Sequence, residues 1–328
     1  MKLAIVGATG MVGREILEVL SERKLPLTEL IPVASERSCG KSIFFDGEPC
    51  EIISLIDLLD KNVDLALFSA GQEISKTWAP KLATIGCKVV DNSSYWRMSS
   101  KHKLIVPEIN GKQLLSDDFI IANPNCSTIQ LAMVLAPLHK NFVAKRVVVS
   151  TYQAVSGSGK KAIEQLKNEQ NRINGEMCYS HQIFQNALPQ CDDFTDNGYT
   201  KEEMKITNEI KKIVDKNIDV VATAVRIPVF RGHSESVNIT FENNFSLDEI
   251  RSTLNQMSGV SVLDNPEKME YPMPINTCKK DQVFVGRIRK DFTQEKTLNM
   301  WIVSDNLRKG AATNTVQIAE HLLAHSLV

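Results

Sequence analysis

Leu3-Ala4-Ile5-Val6-Gly7-Ala8-Thr9-Gly10-Met11-Val12-Gly13, followed by Ile16, Leu17, Val19 and Leu20, decides the fold. The continuous apolar run reads as a strand buried on both faces. The residues behind the glycines recur at helical spacing. Strand, glycine turn and helix in this order open a dinucleotide-binding βαβ unit. Gly7 permits the tight turn, Gly10 lets the backbone approach a pyrophosphate, and Gly13 lets the helix pack closely on the strand. The phosphates then sit on the helix N-terminus, beside Thr9, Met11 and Val12. The spacing is G-x-x-G-x-x-G, one residue longer between the first two glycines than the common fingerprint. A plain tight turn also uses glycines; the position between a clear strand and a clear helix is what favours a cofactor.

The next segments extend the pattern. Leu30-Ile31-Pro32-Val33-Ala34-Ser35 reads as the second strand, ahead of Glu36-Arg37-Ser38. A ribose 2′-hydroxyl calls for an acid at this point and a 2′-phosphate for an arginine. Ser35, Arg37 and Ser38 suit the phosphate and point to NADP, while Glu36 pulls toward NAD and Arg37 also fits an ordinary loop charge. Residues 63–68 form a further strand, ending at Ser69-Ala70-Gly71. Residues 76–85 read as a helix and residues 88–90 as a strand leading to Asp91-Asn92-Ser93-Ser94. Ligands of open parallel sheets lie beyond the carboxyl ends of the strands, where Ser69, Gly71, Asn92 and Arg97 fall. Arg97, within Tyr95-Trp96-Arg97-Met98, suits an anion, or else packs its stem against Trp96.

Asn123-Pro124-Asn125-Cys126-Ser127-Thr128 follows a short buried strand over residues 118–122 and precedes an apolar run at helical spacing. The thiol of Cys126 is thereby set at the first turn of a helix, where open N–H groups and the dipole favour a thiolate. A buried structural cysteine fits this local pattern equally well. Beyond it, residues 146–153, 219–229, 234–242, 283–290 and 298–304 read as strands. Residues 160–174 read as a helix and residues 180–200 as a loop. Thr200-Lys201-Glu202-Glu203 and Ser246-Leu247-Asp248-Glu249 carry capping-box spacing and start helices. This is an α+β pattern on a mainly antiparallel sheet. A last helix, with Ala312, Val316, Ala319 and Leu323 on one stripe, returns to the first domain. The expected division is residues 1–122 plus 307–328, an α/β Rossmann-type domain, and residues 123–306, a second, α+β domain that carries the reactive groups.

Composition narrows the function. A chain of 328 residues with 43% apolar residues builds two cores, and Lys plus Arg at 38 against Asp plus Glu at 39 argues against nucleic-acid or membrane-surface binding. Seven cysteines, at 39, 50, 87, 126, 178, 191 and 278, form neither a C-x-x-C pair nor an even framework, so disulfides and a metal site are not expected. The chain opens Met-Lys and runs directly into a strand, without a signal peptide or a membrane-length apolar run, which points to a soluble, reducing compartment.

The second concentration of reactive groups is residues 222–235. Arg226 interrupts an apolar strand and requires a carboxylate, from the protein or from a ligand. His233 follows Gly232 at a strand entrance, where an accessible ring of near-neutral pKa suits proton transfer; a solvated loop histidine has the same local signature. A thiol, a histidine, buried arginines and a nicotinamide fold combine in one chemistry: attack of a thiolate on an acyl or aldehyde carbon, hydride transfer, and exchange of a thioester with phosphate.

The motifs at residues 7–13, 91–94 and 123–128, Gln153, residues 226–235, and Asp305-Asn306-Leu307-Arg308-Lys309-Gly310-Ala311-Ala312 together resemble the aspartate-semialdehyde dehydrogenase family over essentially the whole chain. The resemblance implies a fold of the glyceraldehyde-phosphate dehydrogenase type, NADP as cofactor, and a homodimer or dimer of dimers. It implies reduction of L-4-aspartyl phosphate to L-aspartate 4-semialdehyde with release of phosphate, on the route to lysine (through diaminopimelate), threonine and methionine. It assigns Cys126 as nucleophile, His233 as acid/base and Gln153 as substrate-orienting amide; in that mechanism the Cys126 N–H and the Asn125 amide are the candidate oxyanion donors. Arg226 would clamp the α-carboxylate, Glu202 the α-ammonium group, and Arg97 and Lys205 the phosphate. Ser156, Gly157 and Asn306 would join the glycine loop, Ser35, Arg37 and Ser38 at the cofactor. An N-acetyl-γ-glutamyl-phosphate reductase-like enzyme, a non-catalytic NADP-binding protein and a cysteine hydrolase are the rival readings.

Overall fold

In a computed structural model covering residues 1–328, the N-terminal apolar run is strand β1 (Lys2–Val6), buried from Leu3 onward. Strands β2 (Glu29–Val33), β5 (Leu65–Phe68), β6 (Lys88–Asp91), β7 (Lys103–Leu104) and β8 (Ile120–Ala122) join it in the order β2-β1-β5-β6-β8-β7, every pairing parallel. Strands β3 (Ser42–Phe45) and β4 (Glu48–Glu51) form a separate hairpin ribbon. Helices α1 (Met11–Arg23), α2 (Leu55–Leu58), α3 (Gln72–Thr84) and α4 (Pro107–Asn110) complete the segment.

One face of the sheet packs Leu3, Ile5 and Leu67 with Ile16 and Leu20 of α1; the other packs Ala4, Val6 and Phe68 with Ala79 and Leu82 of α3. A parallel sheet needs such cover on both sides, which is why its strands are apolar without alternation. The final helix, α10 (Thr313–Ala324), belongs to this unit, with Val316, Ala319 and Leu322 in the α1-side core. Leu322, not the expected Leu323, is the fully buried leucine of that stripe.

Contacts divide the chain into Met1–Asn125 with Ala311–Val328, and Cys126–Gly310. The breaks fall after Asn125 and Gly310 rather than after residues 122 and 306. Residues 123–125 stay with the parallel sheet because the Asn123 N–H donates to the Asp91 carbonyl (2.8 Å) and its side chain is tied to Asn92 and Asn314.

The second unit contains α5 (Cys126–Phe142), β9 (Ala144–Gln153), α6 (Lys160–Gln170), α7 (Lys201–Ile213), β10 (Asp219–Arg226), β11 (His233–Phe241), α8 (Leu247–Asn255), β12 (Val260–Val262), α9 (Pro274–Thr277), β13 (Val283–Lys290) and β14 (Thr297–Ser304). Its sheet runs β10-β9-β11-β14-β13-β12. The three central pairings are antiparallel and both edge pairings parallel, so the sheet is mixed. The parallel β9–β10 pair follows from its long crossover through α6 and α7, which a hairpin cannot replace. The Thr200 and Ser246 capping boxes are both formed. Helix α6 stops at Gln170, short of the expected residue 174, because Arg172 takes a left-handed backbone (φ 58°). Helix α5 is buried without a break from Ser127 to Leu135, and packs against α7, α8 and strands β9, β11, β13 and β14.

Gly7 has φ 90°, and a Cβ on Gly13 would lie 2.2 Å from the Gly7 carbonyl oxygen. The helix therefore packs on the turn with no room for a methyl group. Gly13→Ala is expected to lower stability by about 2 kcal/mol through forced backbone displacement, read as a reduced urea midpoint with an unchanged slope.

Candidate active site

In the first unit the expected cofactor residues gather at the carboxyl edge of β2, β1 and β5. No side chain caps α1 and its first turn holds no acid. Thr9 and Gly10, just ahead of it, are exposed, so the start of the helix is open on the side where a pyrophosphate would sit. Ser35 and Arg37 are exposed just beyond β2, in a short 3-10 turn. Ser69 and Gly71 follow β5. These residues fit a dinucleotide carrying an anionic group near the second strand.

A polar network closes the carboxyl end of β6. Asn92 Oδ1 accepts from Asn123 Nδ2 (3.0 Å) and from the Thr315 hydroxyl (2.8 Å). Asn314 Nδ2 donates to Asn123 Oδ1 (2.7 Å) and to the Ile105 carbonyl (3.0 Å). Arg97 is buried, and its Nη2 donates to the Asn92 carbonyl (2.7 Å). Burial pushes the Asp91 carboxyl up, against the opposing bonds from Ser93 and the charge of Arg97. The Trp96 indole donates to Ser75 (2.9 Å).

In the second unit, Cys126 is the first residue of α5 and is partly exposed, whereas Asn125, Ser127 and Thr128 are buried. A Cβ on Gly310 would lie 2.8 Å from Cys126 Cβ. Gly310 sits in a single π-helical turn, Arg308–Ala312, a deformation that recurs at functional sites. The backbone at Gly310 is thus pressed directly against the thiol-bearing residue.

Strand register lines up the other groups. Gln153 on β9 pairs with Arg226 on β10 and with His233 on β11, and His233 pairs with Ser304 on β14. These four form one row on one face of the sheet. Gln153 Nε2 reaches Ser127 Oγ (3.1 Å), Thr151 Oγ1 (3.3 Å) and Glu202 Oε1 (3.2 Å). Ala154 addresses both neighbours of Gln153: its carbonyl accepts from Arg226 Nη1 (2.7 Å), and its N–H donates to His233 Nδ1 (3.1 Å). A Cβ on Gly157 would lie 2.8 Å from Arg226 Nη1 and 3.2 Å from the His233 ring, so bare backbone covers the pair.

His233 departs from the sequence expectation. It is fully buried rather than accessible, and burial together with the Arg226 charge lowers its pKa to about 3 rather than leaving it near neutral. The entrance of β11 lies under residues 154–157, which removes the ring from water. With Nδ1 accepting from a backbone N–H, the neutral ring carries its proton on Nε2, which has no protein partner.

Arg226 borders a cleft of about 440 Å³ that also involves Tyr179, Ser158, His181, Cys191 and Asp192. Its guanidinium lies 6.0 Å from the Tyr179 ring centroid, and its Nε is buried without a partner. Lys205 donates to Asp192 (2.6 Å) and approaches Glu202 (3.4 Å). Asn306 and Ser156 bond to one another, and the Gly232 N–H donates to Asn306 Oδ1 (3.0 Å). Sequence reading missed Tyr179 and Asp192, which lie in a segment without periodicity. Gly310 lies against Cys126 in space, yet nothing local in its motif marks it as a neighbour of the thiol.

Residues 2–116 match the semialdehyde dehydrogenase NAD-binding domain, and residues 135–309 match the semialdehyde dehydrogenase dimerisation domain. The aspartate-semialdehyde dehydrogenase of Aquifex aeolicus is 52% identical over 100% of this chain and 99% of its own length. The chain belongs to the aspartate-semialdehyde dehydrogenase family. The crystal structure of aspartate semialdehyde dehydrogenase II from Vibrio cholerae superposes with a TM-score of 0.94 at 43% identity, covering 98% of each chain. A second structure of that protein, described as complexed with ASA, gives 0.94 at 42% over the same coverage. These likenesses favour a dehydrogenase of this family over the N-acetyl-γ-glutamyl-phosphate reductase-like and non-catalytic readings.

Gly310→Ala is expected to displace Cys126 while leaving the fold intact. A misplacement on the order of 1 Å costs about a hundredfold in turnover, so kcat should fall steeply while the unfolding midpoint moves little. Steady-state kinetics beside a urea titration checks both.

Proposed function

We propose that this chain reduces L-4-aspartyl phosphate to L-aspartate 4-semialdehyde with NADPH, through a thioester on Cys126. The observation that carries this reading is the thiol at the open start of α5 in the same unit as the Arg226–Gln153–His233 row.

Cys126 attacks the acyl carbon and phosphate departs, leaving a thioester. Charge developing on the acyl oxygen is met by the Cys126 N–H and the Asn125 amide, each such donor being worth about 3–4 kcal/mol. His233, neutral and protonated on Nε2, offers a proton to the oxyanion of a tetrahedral adduct on Cys126 and takes it back as the sulfur leaves. A bound nicotinamide dinucleotide supplies the hydride.

Arg226 turns its remaining donors to the α-carboxylate in the 440 Å³ cleft, where its fork gives bidentate recognition. Glu202 meets the α-ammonium group, and Gln153, already bonded to Glu202, orients the substrate. Arg97 and Lys205 hold the phosphate. Lys205 must exchange a carboxylate, Asp192 or Glu202, for that phosphate. The glycine loop (Gly7, Thr9, Gly10, Met11, Val12, Gly13), Ser69, Gly71, Ser156, Gly157 and Asn306 line the dinucleotide. Ser35, Arg37 and Ser38 favour NADP over NAD through the 2′-phosphate.

The same reading makes the enzyme a homodimer through its second unit. The sheet face opposite α5 carries half-exposed Tyr152, Ser236, Asn238 and Trp301, and Tyr271 and Met273 stand exposed beside it. It also puts the enzyme in the cytoplasm, in keeping with seven free cysteines. No helix is long and apolar enough to cross a membrane.

The test is phosphate-dependent reduction of NADP by aspartate semialdehyde, followed at 340 nm. Cys126→Ala should abolish turnover with NADPH binding unchanged; persistent turnover would remove the thiol from the mechanism. Arg226→Lys keeps the charge and loses the fork, so the substrate KM should rise by about tenfold or more. An unchanged KM would take Arg226 out of the substrate site.

A further inference from the structure

One buried acid in the second unit has no part in the chemistry above. Glu235 lies two residues along β11 from His233, on the same face, and pairs with Thr151 on β9 as His233 pairs with Gln153. It is fully buried, and neither carboxyl oxygen makes a hydrogen bond of normal geometry. Gln130 of α5 faces it as the side chain that hydrogen-bonds its charged form. Gln130 is 1% exposed, and both ends of its amide likewise lack a partner of normal geometry.

Its neighbours across the strands are Thr151 and Gln153 of β9 and Ile302 and Ser304 of β14, with His233 on its own strand and Cys126 one turn before Gln130 on α5. Of these His233 and Cys126 titrate. The charged groups Arg226 of β10 and Glu202 of α7 lie on the far side of Gln153.

These two orphaned groups complete each other only while Glu235 keeps its proton. A carboxylic acid donates O–H to the amide oxygen and accepts the amide N–H, closing a two-bond ring. A carboxylate can only accept, and it would sit buried without a cation. Gln130 lies four residues after Cys126, on the same side of α5, so this pair fixes the helix face that bears the thiol.

We propose that Glu235 is a positioning residue, which as a neutral acid pairs with Gln130 and holds the start of α5, and with it Cys126, over the His233–Gln153 row. This rests on Cys126 being the nucleophile. Burial pushes the Glu235 carboxyl up to about 8 from the ordinary 4.5. The folded chain then retains a proton that the unfolded chain has lost. Stability from this group is complete below the ordinary value and falls as pH rises toward 8.

The experiment compares wild type with Glu235→Gln, which can form the same ring without ionising, and Glu235→Leu, which cannot form it. Three quantities are followed with pH: kcat, the rate of Cys126 alkylation by iodoacetamide, and the urea midpoint. Wild type should lose kcat on an alkaline limb centred near 8. Glu235→Gln should keep kcat within about twofold at neutral pH and lack that limb, and Glu235→Leu should lose about tenfold or more in kcat with little change in KM. The urea midpoint of Glu235→Gln should exceed that of wild type more at alkaline than at acid pH.

Superimposable pH profiles for wild type and Glu235→Gln, or full kcat and normal alkylation in Glu235→Leu, would overturn the proposal. If Glu235→Leu does not fold, the wild-type and Glu235→Gln profiles still decide. Absence of turnover in wild type would count against the proposed reaction instead, and the alkylation and urea measurements would still decide the role of Glu235.

Discussion

The register of β10, β9 and β11 is the constraint on which the second unit depends. It sets Arg226, Gln153 and His233 side by side on one face of the sheet. A slip of one residue would send all three to the opposite face. Deeper in the sheet the same register stacks Val149 against Val237 and Val147 against Ile239, all buried. The apolar rows therefore specify the alignment, and the polar row inherits it. Burying a guanidinium and an imidazole next to one another is unfavourable in itself. It is offset by hydrogen bonds from the adjoining chain and by the apolar area closed beneath.

Helix α5 supplies the other half of that arrangement. Every residue from Ser127 to Leu135 is buried, Cys126 is partly exposed at the start, and Lys140 and Asn141 emerge near the far end. A helix so enclosed cannot roll to expose a different face. Gly310 closes on it from the π-helical turn, and Gln153 bonds to Ser127 in the first turn. The thiol-bearing residue is thus fixed by the helix it starts and by the backbone pressed against it.

Much of this could be read from the chain. The N-terminal strand, the glycine turn and α1 were legible because their spacing has one structural solution, and Gly7 and Gly13 prove to be sterically required. The capping boxes at Thr200 and Ser246 marked two helices because the pattern satisfies open N–H groups locally. Features that depend on tertiary neighbours were not legible. His233 follows a glycine at a strand entrance, a local setting that suggests access, yet the residues burying it lie far away in sequence. The parallel edges of the second sheet likewise depend on where crossovers run. Asp192 and Tyr179 reach the cleft from a segment with no period to read.

Ala154 has a consequence for how such a site can be probed. Its carbonyl secures the cation and its amide secures the imidazole, and the methyl group takes part in neither. No exchange of side chain there removes either bond, save proline, which has no N–H to give. A scan that truncates side chains one by one would therefore pass over the residue joining two of the principal groups, since what it contributes is main chain alone.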